Sequence, residues 1–573
     1  MNRYIPRPAY PLAQGHLNEG YTSLADALRQ AGGVWLLEGA SGLDWQQVTA
    51  ALQAALAGSP VVFFDAGTAL LPLAERARLL SPDLGNDDPN YARLYSGALE
   101  DLFSAGELYQ LAQRIDQAAH SHALVICAGP GSSLVPVAGH QAWLEISKEK
   151  TQKAPWFGRI PTLAGNLFPT LKTLMHLDWP LLDQQRARLL PELDLYVDAT
   201  DPACPVFTVA ADLRASLGTL SHQPFRTRTI LYPSAWGGHW ILDHIQHSED
   251  LPNVGWAFAL VAHENGILFQ EGTLEMEVPF DLILQQETLS IQGERAAAHF
   301  GTNFPVRFNL TDTMGGSDLS MQVHPTAAYA RQQFGTPFTE NETYYVFDHQ
   351  PGSKIYLGLQ ENLDPAHFRQ AAEQARDAQV PFEVEDYVNG FPAQPHDMFQ
   401  IQAGTVHYIG ANNLLLEIVS ARDIHTYRIY DHMRRGKDGS LRPVHIEQAF
   451  ETIDFSRRTA WARENLIEKP RLLEQGDGWQ EYVNADRPWT DYAVHRIDFT
   501  EPYAGDTRGE RWHVLTMTQG EEIRVEWSGG SHPLHYLETI LIPGATGAYR
   551  LVSPDGQPAR VIKTFLKLGA TGG

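Results

Sequence analysis

Gln322-Val323-His324-Pro325 is the stretch on which the reading of this chain turns, taken together with Glu342 and His407. Gln322 and His324 are two apart, so on a β-strand both side chains leave the same face and can touch one ion. Glu342 opens Glu342-Thr343-Tyr344-Tyr345-Val346-Phe347-Asp348, a run of aromatic and β-branched residues with strand character. His407 follows the turn in Ala403-Gly404-Thr405-Val406-His407. An amide oxygen, two imidazole nitrogens and a carboxylate make a mixed set that suits zinc, with a position left open for water or substrate. The pattern predicts a catalytic metal site on a β-barrel. The competing reading makes these ordinary members of the chain's 23 histidines and its many acids. What favours the metal is the joint pattern, because each residue falls at a strand end or on a strand face flanked by turn chemistry.

Composition sets the frame for that site. At 573 residues the chain is too long for one core and implies about three domains. A hydrophobic content of 43% and a charged content of 19% are those of a globular protein. The net charge of −25 argues against nucleic acid and against anionic membrane surfaces as partners, since both need a basic footprint. Any site for a phosphate ester must therefore be locally basic against an acidic background. Two cysteines, Cys127 and Cys204, call for no disulfide framework and fit a cytoplasmic location. Cys127, in an apolar run, is expected to be a small buried hydrophobe. No signal-peptide core and no stretch of about eighteen apolar residues is present in the sequence.

The texture changes twice along the chain. Residues 1–220 alternate apolar strands (Val34-Trp35-Leu36-Leu37, Val61 to Asp65, Ala123 to Cys127) with helical segments at Asp44–Leu56, Ala69–Leu80 and Leu108–Ala119, which predicts a doubly wound α/β domain. From about Phe225, short strands separated by Gly, Pro, Asn and Asp predict a β-barrel over 221–465, with one helical insertion at Pro365–Ala378. A second all-β, cupin-like domain is expected over 466–573. It shows no convincing metal set, and His532 and His535, near a turn, are expected to be solvated.

Gly39-Ala40-Ser41-Gly42, after a strand and before a helix, is where a nucleotide kinase would cradle phosphate. The Gly-Lys-Ser/Thr that such a loop needs is missing, and Leu43-Asp44-Trp45 follows instead. The segment Gln184 to Asp198 resembles the uridine-kinase-like fold. The expectation is a P-loop-kinase-like domain without activity.

The wording of the barrel segments goes further than their spacing. Leu319-Ser320-Met321-Gln322-Val323-His324-Pro325, the run from Glu342 to Asp348, Pro351-Gly352-Ser353-Lys354-Ile355-Tyr356-Leu357-Gly358 and Ala403 to Gly410 resemble class I mannose-6-phosphate isomerase. So do Leu416-Glu417-Ile418, Thr426 to Asp431 and, upstream, Trp236-Gly237-Gly238. The resemblance covers roughly residues 225–460. It implies a cupin barrel in which Gln322, His324, Glu342 and His407 bind one zinc, and an interconversion of mannose 6-phosphate and fructose 6-phosphate. It further implies Glu417 and Arg428 as catalytic residues, with Arg434 and Lys354 in substrate binding. For Glu417 the alternative is a buried carboxylate paired with a neighbouring arginine, and for Arg434 a solvated turn. One position departs from the family: Glu340 stands where shorter members carry Lys, placing an anion near an anionic substrate. Two rivals follow from these observations, a non-catalytic or altered-specificity zinc cupin that binds a sugar phosphate, and a sugar kinase built on the N-terminal domain.

Overall fold

The computed structural model describes residues 3–153, 160–247, 249–336, 338–420, 425–436 and 439–567. The N-terminal layer is a seven-stranded sheet in the order Asn18–Glu19, Val206–Val209, Leu195–Asp198, His140–Glu145, Gly33–Gly39, Leu124–Ala128, Val61–Asp65. Its five strands from Leu195–Asp198 to Val61–Asp65 run parallel, and the two at the other edge are antiparallel. The central strand Gly33–Gly39 is buried almost throughout, as a sheet covered by helices on both faces requires. Cys127 is fully buried on the neighbouring strand, and burial pushes its thiol up to about 12.

The glycine loop ends this central strand, and its polar groups are committed to the fold. Gly42 has φ +93°, which suits the turn, and Asp44 caps the helix Trp45–Ala55 by accepting from the Gln47 N–H. The Ser41 hydroxyl donates to buried Asp178 at 2.5 Å. The second predicted helix is displaced: a turn of 3₁₀ helix covers Ala66–Ala69 and the helix proper is Leu73–Leu84. Pro72 stands at the N-cap of that helix, where its missing N–H costs no intrahelical bond, and a second proline, Pro82, lies in its last turn.

Two antiparallel sheets face each other in the centre of the chain. One has the order Met398–Ile401, Glu342–His349, Asn413–Val419, Arg307–Asp312, Trp256–Leu260, Ile230–Tyr232; the other has the order Val388–Pro392, Lys354–Leu359, His407–Ile409, Met321–Val323, Tyr427–Tyr430. Strand Asn413–Val419 is buried along its whole length because both faces are covered. Leu414, Leu416 and Ile418 enter a core shared with the flanking layers, while Glu417 and Val419 face the barrel interior. The helix Pro365–Asp377 starts at an Asp364 cap with proline in its first turn and buries Phe368, Ala371, Ala372 and Ala375 along one stripe.

A third pair of antiparallel sheets, of six and four strands, occupies 471–566. His532 is half-buried, but His535 is buried and its Nδ1 lies 3.0 Å from Glu538 Oε2, so the expectation of a solvated pair fails for His535. Glu538 also holds Arg226 at 2.6 Å, and that buried contact ties this layer to the barrel. Among the described residues no helix is long and apolar enough to cross a membrane.

Candidate metal centre and its cavity

The register of the two facing sheets brings the predicted ligands together. Gln322 pairs directly with His407 on the smaller sheet, and its other neighbour is Arg428. On the larger sheet Glu342 and Arg307 both sit opposite Val419, two residues along from the row Asn309, Glu417 and Tyr344. Alternation along each strand puts both rows on the same, inward face.

The side chains converge accordingly. His324 Nε2 lies 3.2 Å from Glu342 Oε1, and His407 Nε2 lies 3.4 Å from Glu342 Oε2. The Gln322 amide is 3.4 Å from His407 Nε2, and its oxygen is the atom a cation would take. His407 Nδ1 is 2.8 Å from the Thr405 carbonyl, so it carries the proton and Nε2 presents a lone pair to the site. His324, Glu342 and His407 are all buried and offer ligand atoms within 4.8 Å of one another. Two imidazoles and one carboxylate, with an amide beside them, form the donor set of a catalytic zinc site. The residues present fit the ion that the sequence implies.

Glu340 is not a surface carboxylate beside the ligand. It is buried, with Oε2 3.2 Å from His324 Nδ1, and it accepts a hydrogen bond from the His425 N–H. His324 is thus held from behind by one carboxylate while it faces another. Burial alone would lower its pKa, but the charges of Glu340 and Glu342 hold it up at about 9.

Gln322, His324, Glu340 and Glu342 line a cavity of about 220 Å³, and His407, fully buried, reaches it through Glu342. Glu417 lies in its wall and accepts from Asn309 Nδ2 at 2.6 Å. Its partner is therefore an amide and not the arginine that the alternative reading required. Burial first, and the Glu342 charge second, push Glu417 up to about 8. Arg428 lines the same cavity from the facing sheet, and its Nε donates to the Pro443 carbonyl at 3.0 Å.

Two predicted substrate-binding residues lie elsewhere. Arg434 donates to Asp431 at 2.9 Å, to Ser317 Oγ at 2.8 Å and to the Asp318 carbonyl, and it does not line this cavity. His432 and Met433, with φ of +50° and +60°, turn the chain between Arg428 and Arg434 and send the second guanidinium away. Lys354 pairs with Glu385 at 2.5 Å on the outside of the barrel. Leu357, not Lys354, aligns with His407, so Lys354 starts its strand about 10 Å from the metal level at ~3.3 Å per residue.

Arg307 and Arg442 line the cavity and were missed. Arg442 is 2.8 Å from Asp431, and Arg307 is buried with its guanidinium 5.5 Å from the Phe258 ring. A signal for Arg307 existed in Arg307-Phe308-Asn309-Leu310-Thr311, where polar residues alternate with apolar ones on a strand. Arg442 lies in a loop, and its spacing carries no such signal.

A second cluster of potential ligands, Asp183, His263 and Asp281, lies between the N-terminal layer and the barrel. Lys148 Nζ sits 2.5 Å from Asp183 and 3.6 Å from Asp281, and Arg186 is 3.3 Å from Asp183. Those cations already occupy the place of a metal, and the cluster is a charge network joining two layers.

Comparison with known proteins follows this division. A mannose-6-phosphate isomerase of Streptococcus mutans is 25% identical over 236 residues, spanning 41% of this chain and 69% of the relative. Mannose-6-phosphate isomerase ManA of Bacillus subtilis is 27% identical over 236 residues, again 41% of this chain and 69% of the relative. Over two-fifths of its length the chain is similar to mannose-6-phosphate isomerases. The crystal structure of the mannose 6-phosphate isomerase from Bacillus subtilis shares the fold, with a TM-score of 0.50 and 17% identity, covering 60% of this chain and 99% of that one. Residues 20–222 match a separate family, described as a domain of unknown function (DUF8485).

Proposed function

We propose that this chain is a zinc-dependent aldose–ketose isomerase acting on mannose 6-phosphate and fructose 6-phosphate. The observation that carries the proposal is the meeting of Gln322, His324, Glu342 and His407 beside Glu417 and three arginines around one small cavity. Its volume, about 220 Å³, falls below the roughly 300–1,000 Å³ of larger ligand sites and suits one sugar ring.

Gln322, His324, Glu342 and His407 would hold the zinc, and the bound ion would supply Lewis acidity toward the oxygens on C1 and C2 of the sugar. The remaining work falls to side chains. Glu417, whose carboxyl is pushed up by burial and by the Glu342 charge, suits a group that carries a proton between C1 and C2. Asn309 fixes the orientation of that carboxyl by donating to Oε2. Arg428, Arg307 and Arg442 bring three guanidiniums to a cavity that also holds Glu340, Glu342 and Glu417, and would hold the phosphate.

The rival of a zinc cupin that binds a sugar phosphate without converting it drew its support from Glu340 and from an N-terminal domain that lacks the kinase motif. With that carboxylate turned to His324 Nδ1, Glu340 supports the metal ligand and gives no argument against turnover. A coupled assay for fructose 6-phosphate formation from mannose 6-phosphate separates the two. Turnover supports the isomerase, and binding of mannose 6-phosphate without turnover supports the rival.

A further inference from the structure

The cavity is not built by the barrel alone. Asn90 and Tyr91 line it too, and they come from the N-terminal layer, more than 200 residues before the first ligand. The matched isomerases account for 236 residues of this chain, while the N-terminal layer matches a separate family. One wall of the site is therefore contributed by a part of the chain with a different kinship from the barrel.

That wall is held firmly. Lys172, itself buried, donates to the Asn86 carbonyl at 2.7 Å, to Asn86 Oδ1 at 2.5 Å and to the Asp88 carbonyl at 2.9 Å. Asp88 Oδ1 accepts from the backbone N–H groups of Asn90 and Tyr91, both at 2.8 Å. Beyond the tip, the Leu94 N–H donates to the Phe334 carbonyl and the Tyr95 N–H to the His176 carbonyl, each at 3.0 Å. The Tyr91 hydroxyl donates to the Thr426 carbonyl and accepts from the Thr426 N–H, both at 3.0 Å. Thr426 in turn places Oγ1 3.3 Å from His324 Nδ1 and lies two residues before Arg428. The Tyr91 ring packs among Phe334, His425, Tyr427 and His445.

We propose that Asn90 and Tyr91 are specificity-determining residues that close the cavity around a single phosphorylated sugar ring, Tyr91 as the rigid wall and Asn90 as a polar contact to the ligand. This rests on the isomerase reading above. Asn90 suits the role because it lines a cavity that holds both signs of charge while Asp88 fixes its backbone. In so small a cavity, a new anion at position 90 lies within a few ångströms of any bound phosphate, where Coulomb repulsion is large.

The test is steady-state kinetics of the full-length, zinc-loaded protein with mannose 6-phosphate. Asn90→Ala should raise KM about tenfold with kcat within about twofold, the signature of lost uniform binding. Asn90→Asp, nearly isosteric and safe for folding, should raise KM further, by an increment that shrinks as salt is added. Tyr91→Phe keeps the ring but gives up both Thr426 hydrogen bonds and should raise KM modestly, and Tyr91→Ala, which also removes the wall, should raise it more. Zinc content and melting temperature check each variant. An active wild type whose KM is unmoved by both Asn90 substitutions overturns this proposal alone, as does a fall in kcat at constant KM. A wild type that does not convert mannose 6-phosphate overturns the isomerase reading and this proposal with it.

Discussion

Glu340 offers the sharpest quantitative test of how the metal centre is built. Its carboxylate lies 3.2 Å from His324 Nδ1, so it fixes which imidazole nitrogen carries the proton and turns Nε2 toward Glu342. Groups that orient a ligating histidine in this way are worth about 10–100-fold in metal affinity, or roughly 1.4–2.7 kcal/mol. Glu340→Gln keeps an acceptor for Nδ1–H and loses only its charge, so zinc affinity should fall by about tenfold. Glu340→Met removes the carboxylate and leaves only Thr426 Oγ1 at 3.3 Å and the His425 carbonyl at 3.4 Å beside Nδ1, so the loss should exceed that of Glu340→Gln. Competition against a chromogenic chelator reads both constants directly. Equal zinc affinity in wild type, Glu340→Gln and Glu340→Met would refute the reasoning and return Glu340 to the substrate side of the site.

Three further outcomes follow from the same geometry. Glu417→Gln should lower kcat by about 10²–10⁴-fold with zinc content unchanged, and Arg428→Ala should lower turnover far more than metal content; metal analysis beside steady-state kinetics checks both. Arg434→Ala and Lys354→Ala should leave KM for mannose 6-phosphate within about twofold, because their partners are Asp431, Ser317 and Glu385 outside the cavity. In the N-terminal layer, burial pushes the Asp178 carboxyl from its ordinary 3.8 up to about 7, so the folded state binds a proton that the unfolded state releases. Its contribution should therefore weaken stability as pH rises from about 4 to 7 and stay constant above, by at most about 4 kcal/mol. Asp178→Asn, which can still accept from Ser41 and Leu163, should flatten that dependence in thermal melts across pH 4–8.

The convergence of Gln322, His324, Glu342 and His407 was legible in the sequence because its signals are local. Gln322 and His324 advertise a shared face by their spacing, and the runs around Glu342 and Glu417 have the composition of strands. The parallel strands of the N-terminal layer were legible for the same reason, as apolar runs set between helical segments. What failed was direction beyond a strand end. Arg434 was placed with Arg428 by the family resemblance, and two residues with positive φ send it elsewhere. His535 was assigned to solvent from its neighbouring turn, although it is buried with Nδ1 3.0 Å from Glu538 Oε2. The wall made by Asn90 and Tyr91 depends on a contact across 335 positions, Tyr91 to Thr426, and no periodicity in either segment encodes it.

Stoichiometric reconstitution of the metal-free protein tests the central claim most directly. Zinc removed by a chelator and restored in increments should bring back fructose 6-phosphate formation in proportion, with a break at one equivalent per chain. His324→Ala, treated alike, should bind less zinc and regain no activity. Full turnover in the chelated, metal-free protein, or turnover in His324→Ala equal to the wild type, would contradict the account.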